Sequence, residues 1–322
     1  MKAAVCTRIG AIDDIAIAEV PAPVPREGEV AVAVRAASVN FPDVLMVAGA
    51  YQVRTEPPFV LGSEFAGEVI ALGAGVTTPA VGTRVIGAAL TGAFTEIVAV
   101  PAASVQPLPD GLDFVAGAAF RVAYATAYHA VVTIGEAERG QTVVVLGAAG
   151  GVGLASVDIA HRLGMRVTAA ASSAEKLRVC AEYGADELVD YTREPLKERL
   201  KELTAGGADV VVDPVGGEQS EAALRATRWG GRFVVVGFAS GHIPRIPLNL
   251  VLLKGAQIRG FEMRTLPDHA PGAIATCQRV LAELVADGMR PHISAVYSLD
   301  DVVKAMSDVA ERRVLGKVVI TL

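Results

Sequence analysis

The spacing of apolar residues changes about a third of the way along the chain. In the first third, short apolar runs at residues 29–34, 65–72 and 84–86 are separated by glycines and frequent prolines. Runs of this length between turn-forming residues predict β-strands. This part of the chain therefore predicts a mostly β domain shaped as a partly open barrel.

A different pattern begins near residue 120. Uninterrupted apolar runs alternate with helical stretches that end in glycine, as in the helix predicted over residues 152–163 before Gly164. This alternation is typical of βαβ units with right-handed crossovers, which build a parallel sheet. The predicted strands of this sheet are residues 142–146, 166–170, 187–189, 209–212, 232–236 and 257–261.

The chain of 322 residues is too long for one ordinary core, so we expect two domains. We predict an α/β domain with a doubly wound parallel sheet over residues 121–264. The mostly β domain would combine residues 1–120 with a final helix and strand in residues 265–322.

Composition and charge narrow the functional classes. The net charge is −6 and no run of Lys or Arg occurs, so we expect no nucleic-acid partner. No Cys-x-x-Cys pair or secretory signal pattern occurs, which favours a reducing, cytoplasmic location. The apolar segment 115–134 is interrupted by Arg121 and His129, so it predicts a buried helix and not a membrane span.

A glycine-rich segment follows the strand predicted at residues 142–146. Glycines at this point would let the backbone turn sharply towards a pyrophosphate, and the next helix would offer free N–H groups. The predicted binding residues are Gly147, Gly150, Gly151, Val152 and Gly153. The alternative is a tight glycine turn that binds no ligand.

The end of the second predicted strand distinguishes the two nicotinamide cofactors. An NAD site usually carries Asp or Glu there to bind the ribose 2′-hydroxyl. Here Ser172 and Ser173 follow the strand, Lys176 comes one helical turn later, and Tyr191 follows the third strand. This set favours a 2′-phosphate, and therefore NADPH. Glu175 is a carboxylate close to this set, and we interpret Ser172-x-x-Glu175 as a capping box for the helix that starts here. Lys176 could alternatively be an ordinary surface lysine.

Motifs along nearly the whole chain resemble those of one protein family. They are Asn40-Phe41-Pro42-Asp43, Gly49-Ala50-Tyr51, Gly62-Ser63-Glu64-Phe65-Ala66-Gly67, Gly82-x-Arg84-Val85, Ala123 to His129, Ala148 to Gly153, and Asp213-Pro214-Val215-Gly216-Gly217. The chain resembles the medium-chain dehydrogenase/reductase superfamily, and within it the zeta-crystallin-like quinone oxidoreductases. The resemblance implies a Rossmann domain, a GroES-like catalytic domain, NADPH, no metal and a homodimer.

The zinc alcohol dehydrogenases of the same superfamily are the main competing interpretation. They bind catalytic zinc through a cysteine and a Gly-His-Glu motif, which here reads Gly62-Ser63-Glu64. No cysteine lies between Cys6 and Cys180, and zinc needs a nearly complete set of thiolate, imidazole or carboxylate ligands. We therefore expect no metal.

The resemblance also implies roles for individual residues. Asn40 would bind the nicotinamide ribose and Asp43 would lie near the same wall. Thr126 would approach the carboxamide, and Gly237 and Phe238 would line the nicotinamide side. Val215 is a further expected cofactor-binding residue. Asn40 and Asp43 could instead be turn-forming residues on either side of Pro42.

Tyr51 is the candidate donor to the carbonyl oxygen of a substrate, because a phenol can stabilise developing negative charge. The alternative is that Tyr51 only packs a loop. Arg264 is a further candidate from the other side of the site. We expect His129, on an apolar helix, to be a core or near-cofactor residue and not a base.

The expected activity is NADPH-dependent reduction of quinones or similar conjugated carbonyls, with Tyr51, Asn40 and Asp43 as the catalytic residues. Two alternatives remain open: an enoyl-thioester reductase, and a non-catalytic NADPH-binding protein with a structural or RNA-binding role. We also expect a homodimer in which the strand predicted at residues 257–261 pairs with its copy.

Overall fold

The computed structural model describes residues 1–322. The strands are β1 (Lys2–Cys6), β2 (Ile15–Glu19), β3 (Glu29–Val39), β4 (Phe59–Val60), β5 (Glu64–Leu72), β6 (Arg84–Ala88), β7 (Ile97–Pro101), β8 (Val105–Pro107), β9 (Thr142–Leu146), β10 (Arg166–Ala171), β11 (Glu187–Asp190), β12 (Ala208–Asp213), β13 (Thr227–Val235), β14 (Gln257–Gly260), β15 (Ile293–Ser298) and β16 (Lys317–Thr321). The α-helices are α1 (Phe41–Val47), α2 (Phe114–Ala118), α3 (Arg121–Tyr128), α4 (Gly151–Arg162), α5 (Ala174–Glu182), α6 (Leu196–Leu203), α7 (Glu218–Ala226), α8 (Leu248–Lys254), α9 (Leu266–His269), α10 (Ala273–Ala286) and α11 (Val302–Ala310).

The chain divides into two compact units. The first comprises residues 1–122 and 285–322, and the second comprises residues 123–284. These limits differ from the expected ones mainly at residues 265–284, which we assigned to the first domain and which lie in the second unit. Most of this segment is α10, whose buried residues include Cys277 and Leu281.

The second unit contains a six-stranded sheet in the order β11-β10-β9-β12-β13-β14, and all its strands are parallel. Numbered within the unit, this order is 3-2-1-4-5-6, the doubly wound arrangement of Rossmann domains. The order reverses between β9 and β12, so the loops after these two strands leave the sheet at its switch point. In folds of this type, ligands bind at the carboxyl ends of the strands on either side of that point.

The central strands of this sheet are buried on both faces, which explains their sequence. All residues of β9 and β12 are buried, and β9 reads Thr-Val-Val-Val-Leu. Uninterrupted apolar runs are typical of parallel strands that are covered by helices on both sides. The prediction of a parallel sheet from these runs is confirmed.

The first unit is mostly β. One sheet has the order β2-β1-β4, and a larger one has the path β15-β16-β3-β5-β6-β8, with β7 also paired to β3. Its core includes Phe65 of β5, whose ring packs over Gly87 on the neighbouring strand. Gly87 leaves room for the ring, since a Cβ there would lie 2.3 Å from Phe65 Cζ. The predicted fold class, a doubly wound parallel sheet with a separate mostly β domain, is confirmed.

Two local features bear on the site. The segment expected to be one buried helix forms α2, α3 and a π-helical stretch at His129–Ile134. The strand β14 is the outer strand of the second unit's sheet. No helix in the structure has the length and apolar character needed to cross a membrane.

Candidate active site

The turn between β9 and α4 has the geometry of an anion-binding loop. Gly147 has φ +55°, a left-handed conformation that favours glycine. A Cβ on Gly153 would lie 2.3 Å from the Gly147 carbonyl oxygen, so only glycine allows this approach of helix to strand. Gly150 precedes α4 without a side-chain cap, which leaves N–H groups of the helix available to a phosphate.

The loop after β12 lies across the switch point from this turn and is shaped by a buried carboxylate. Asp213 Oδ1 accepts hydrogen bonds from the N–H groups of Val215 at 2.8 Å and Gly216 at 2.9 Å. Its Oδ2 accepts from Ser220 Oγ at 2.5 Å. A Cβ on Gly147 would lie 2.5 Å from Val215 Cγ2, so the two loops are in close contact.

The loop after β13 contacts the loop after β12. The Gly237 N–H donates to the Asp213 carbonyl at 3.4 Å. Phe238 lies beside Gly216, where a Cβ would lie 2.9 Å from Phe238 Cδ1. The structure therefore brings the predicted residues Val215, Gly237 and Phe238 together. Thr126 is half-buried on α3 in the same unit.

The end of β10 carries hydroxyl and ammonium groups and no carboxylate. Lys176 Nζ lies 3.0 Å from Ser172 Oγ, and both side chains are half-buried. The Tyr191 N–H donates to the Ala171 carbonyl at 3.2 Å, which brings the start of the next loop beside the end of β10. These donors provide a site suited to a phosphate monoester.

The interpretation of Ser172 and Glu175 as a capping box is wrong by one residue. Ser173 is the N-cap of α5, and its hydroxyl accepts from the Lys176 N–H at 3.3 Å. Ser172 therefore remains outside the helix, and Glu175 is exposed in the first turn. The sequence could not distinguish the two serines because either one could begin the helix.

The other two polar candidates of the second unit, His129 and Arg264, each contact another side chain of the protein. His129 is fully buried, its Nδ1 lies 2.9 Å from Thr133 Oγ1, and burial lowers the pKa of the imidazole to about 4. Its Nε2 has no hydrogen-bond partner. Arg264 is exposed and pairs with Glu262, with Nε 2.6 Å from the carboxylate. The structure gives no support for a catalytic role of Arg264.

In the first unit, Asn40 and Asp43 lie at the start of α1. The Asn40 N–H donates to Asp43 Oδ2 at 2.7 Å, and the Asp43 N–H donates to the Asn40 carbonyl at 3.0 Å. The alternative local role is therefore real, because Asp43 stabilises the beginning of the helix. Both side chains are nevertheless buried, which an ordinary turn residue does not require.

Asn40 also belongs to a buried ionic cluster. Its Oδ1 accepts from Lys317 Nζ at 2.6 Å, and its Nδ2 donates to Glu64 Oε2 at 3.1 Å. Lys317 and Glu64 form an ion pair of 3.2 Å, with side chains 6% and 0% exposed. Glu64 Oε1 accepts from the Val122 N–H at 2.6 Å. Buried charges of this kind are retained only when paired and hydrogen-bonded.

The sequence analysis missed Lys317 as a site residue. Its one signal is a lysine that immediately precedes the apolar run Val318-Val319-Ile320, a position where a buried strand begins. Its partners lie 277 and 253 positions away, so no local pattern could identify them.

Asp43 lies beside this cluster and has a shifted pKa. Burial raises the pKa of its carboxyl to about 7, although the Asn40 N–H and the Lys317 ammonium favour the charged form. Its Oδ1 is buried without a hydrogen-bond partner. A carboxyl with a pKa near neutrality in such surroundings is typical of functional sites.

Tyr51 lines a cavity in the first unit. The cavity has a volume of about 260 Å³ and also contacts Met46, Arg54 and Glu56. Tyr51 is half-buried, in the irregular segment that follows α1. The residues that line the cavity include both apolar and polar ones.

Two models of protein families match the chain. The alcohol dehydrogenase GroES-like domain matches residues 26–110, and the zinc-binding dehydrogenase matches residues 151–279.

Ser63 occupies the middle of Gly62-Ser63-Glu64, and its Oγ lies 3.5 Å from Asn40 Nδ2. No group of three or more His, Cys, Asp or Glu side chains in the chain is arranged to hold a metal ion.

Similar proteins identify the branch. The chain is 38% identical to the quinone oxidoreductase-like protein 2 homolog of Nematostella vectensis over 296 residues, covering 91% of this chain and 81% of that protein. The quinone oxidoreductase of Thermus thermophilus, solved also with NADPH, matches with a TM-score of 0.87 and 34% identity over 100% of both chains. The Escherichia coli quinone oxidoreductase in complex with NADPH gives 0.92 and 25%, again over 100% of both chains. The chain therefore belongs to the quinone oxidoreductase-like family of the medium-chain dehydrogenase/reductase superfamily and is an oxidoreductase.

Proposed function

We propose that this protein uses NADPH to reduce quinones or similarly conjugated carbonyl compounds, and that it does so without a metal ion. The observation that carries the proposal is the end of β10, where Ser172 and Lys176 provide donors and the strand runs out into Ala171, Ser172 and Ser173 without an acidic residue. The similarity to quinone oxidoreductases, two of them solved with NADPH, supports both the cofactor and the substrate class.

The binding loops of this chain fit the cofactor. The turn at Gly147 and Gly153 leaves no room for a Cβ, so its backbone can approach a pyrophosphate closely. The N-terminus of α4, a helix of 12 residues, presents free N–H groups and a positive dipole end. The ammonium and hydroxyls after β10 match the charge and acceptor oxygens of a 2′-phosphate.

NADPH, when bound, would supply the hydride, and the protein would supply binding and orientation. In our proposal Asn40 and Thr126 hold the nicotinamide end, and Val215, Gly237 and Phe238 line it. Tyr51 donates a hydrogen bond to the carbonyl oxygen of the acceptor, where negative charge develops. A quinone needs little further help, because its ring delocalises the incoming charge.

The proposed independence from zinc rests on the chemistry of the residues around Glu64. Position 63 is serine, whose neutral hydroxyl is not among the usual zinc ligands. The Lys317 ammonium lies 3.2 Å from Glu64 Oε2 and already balances its charge. Alcohol oxidation would need a group that stabilises an alkoxide, and the neutral hydroxyl of Ser63 does not provide one.

We also propose a homodimer formed through the outer edge of the second unit's sheet. The apolar side chains near β14 are more than 70% exposed at Trp229, Ile243, Leu248, Leu252 and Leu253. Leu248, Leu252 and Leu253 belong to α8, and Trp229 lies beside the end of this helix, because Gly255 lies against the Trp229 ring and Lys254 Nζ lies 2.6 Å from the Thr227 carbonyl. An apolar patch beside an unpaired edge strand favours pairing with a second copy.

A reducing, cytoplasmic location fits the cysteines. Cys6, Cys180 and Cys277 are all free and buried. Burial raises the pKa of the Cys180 and Cys277 thiols to about 12, so neither is poised to react.

Lys176→Ala should raise the Kd for NADPH about tenfold and leave the Kd for NADH nearly unchanged, since one charge-assisted contact is worth about 1.4 kcal/mol. Titration of each reduced cofactor by fluorescence measures both constants. Arg178→Ala is the matched control, because Arg178 is exposed on the same helix and pairs with Glu182 at 2.5 Å. Equal losses of affinity for the two cofactors would mean that Lys176 does not contact the 2′-phosphate.

Tyr51→Phe should lower kcat/KM for a quinone by about 10- to 100-fold, because the hydrogen bond from the Tyr51 hydroxyl to the carbonyl oxygen forms chiefly in the transition state. The Kd for NADPH should stay unchanged. Steady-state kinetics with a panel of quinones measures the change. Tyr297→Phe is the control, since that hydroxyl bonds Asp308 of α11 and not a residue of the Tyr51 cavity. Wild-type kinetics in Tyr51→Phe would return Tyr51 to a packing role. A preference of the wild-type protein for enoyl-thioesters over every quinone would instead show that it is an enoyl-thioester reductase.

The purified protein should contain no stoichiometric metal and keep full activity after prolonged treatment with a chelator, because Ser63 replaces a ligand and Lys317 neutralises Glu64. Elemental analysis and turnover before and after treatment measure these properties. Zinc at one atom per chain, with activity lost on its removal and restored on its return, would contradict the proposal.

The combined substitution Leu252→Glu and Leu253→Glu should convert a dimer into a monomer, because two carboxylates would be buried at the proposed interface. Light scattering coupled to size-exclusion chromatography measures the mass in solution. Val24→Glu is the control, since Val24 is 83% exposed in the first unit, far from this patch in sequence. A wild-type monomer at micromolar concentration would refute the dimer.

A further inference from the structure

We infer that Lys317 is a positioning residue that fixes the orientation of the Asn40 amide, so that Asn40 Oδ1 accepts a hydrogen bond from a hydroxyl of the nicotinamide ribose. The inference rests on the proposed function, because it assumes an NADPH site that includes Asn40. It adds a residue that the sequence motifs do not contain, and it assigns a direction to the hydrogen bond.

The partners of Asn40 determine which way its amide faces. Lys317 Nζ is 2.6 Å from Oδ1, and an ammonium can only donate. Glu64 Oε2 is 3.1 Å from Nδ2, and an ionised carboxylate can only accept. A flipped amide would place its NH₂ against the ammonium and its oxygen against the carboxylate. Both contacts would then be repulsive, so a single orientation is stable.

Sheet register holds the three side chains together. Lys317 begins β16, and Val318 of this strand pairs with Val39, the last residue of β3 before Asn40. Glu64 begins β5 and is paired with Ser38 on the other side of β3. Asn40 therefore lies at the end of the central strand, between a cation from one neighbour and a carboxylate from the other.

The Glu64 carboxylate is itself fixed, which makes the arrangement rigid. Its Oε1 accepts from the Val122 N–H at 2.6 Å, so its Oε2 faces Asn40 and Lys317. Glu64 and Lys317 are 0% and 5% exposed, and Asn40 is 8% exposed. Water competes little with these contacts, so they are stronger than at a surface.

The remaining bonding capacity of the amide indicates its ligand. One N–H of Nδ2 faces Glu64, and Nδ2 is also 3.4 Å from the Ser38 carbonyl and 3.5 Å from Ser63 Oγ. Oδ1 has two lone pairs, of which the Lys317 ammonium uses one. The second lone pair is an acceptor, and a ribose hydroxyl is a donor. The hydrogen bond from the ammonium keeps the oxygen facing this cation and so fixes the direction of its second lone pair.

The test uses the pair variant Lys317→Met with Glu64→Gln. This variant removes the ion pair without leaving a lone buried charge, so its thermal stability should stay close to that of the wild type. It allows the Asn40 amide to flip, and the Kd for NADPH should rise about tenfold, the effect of one well-oriented hydrogen bond. Fluorescence titration measures this constant without any acceptor substrate.

A thermodynamic cycle with Asn40→Ala separates positioning from a general structural effect. If Lys317 acts through Asn40, then Asn40→Ala raises the Kd about tenfold and adding the pair variant raises it no further. Lys317→Arg, which keeps a buried cation that only donates, should bind NADPH within about threefold of the wild type.

Three results would overturn the inference. They are a pair variant with wild-type affinity, a combined variant whose Kd rises about a hundredfold because the effects multiply, and a Lys317→Arg variant that loses as much affinity as the pair variant. A wild-type protein that binds no NADPH would instead disprove the cofactor proposal. A wild type that binds NADPH but reduces no quinone would leave this inference intact and remove the proposed substrate.

Discussion

Buried polar groups need partners, and this requirement shapes the sites in both units of the protein. In the first unit, Lys317 and Glu64 are almost inaccessible to water, and each is bonded to the other and to Asn40. In the second, the Asp213 carboxylate has no cation and is satisfied by two backbone N–H groups and one hydroxyl. In each unit a buried carboxylate, Glu64 or Asp213, accepts several hydrogen bonds and thereby fixes an amide or a loop.

The groups left without partners are as informative as the paired ones. The first N–H groups of α4 have no side-chain cap, although the turn before them is tightly packed. Asp43 Oδ1 is buried and unpaired, and burial raises the pKa of this carboxyl to about 7. Unsatisfied groups of this kind are unfavourable in a finished core and are expected where a ligand completes the bonding. Both lie beside residues that the sequence had marked as candidates.

The sequence predicted the features that depend on local spacing. The strand at Thr142–Leu146 is an uninterrupted apolar run, and the glycines after it occur where backbone approach excludes a Cβ. The helix cap at Ser173 was misplaced by one residue, because adjacent serines are equivalent in a sequence pattern. Residues 265–284, which we assigned to the first domain, lie in the second unit, and helical periodicity alone does not specify which sheet a helix covers.

Pairings across long separations could not be predicted in this way. Lys317 contacts Asn40 only because β16 pairs with β3, and register between residues 277 positions apart is set by tertiary structure. The same limit applies to Tyr51, whose cavity walls come partly from Ile9, beyond the reach of any local motif. The motif residues identified the family, whereas the residues that orient them became visible only in the structure.

The buried ion pair also constrains the chemistry that we propose. A lysine carries one positive charge, and here that charge is shared with Glu64 at 3.2 Å and Asn40 at 2.6 Å. Little of it remains to stabilise a localised alkoxide, for which a divalent metal is more effective. An acceptor that spreads negative charge over its own conjugated system needs only a neutral donor such as a phenol. The electrostatics of the first unit therefore support our proposal that conjugated carbonyls, and not simple alcohols, are the substrates.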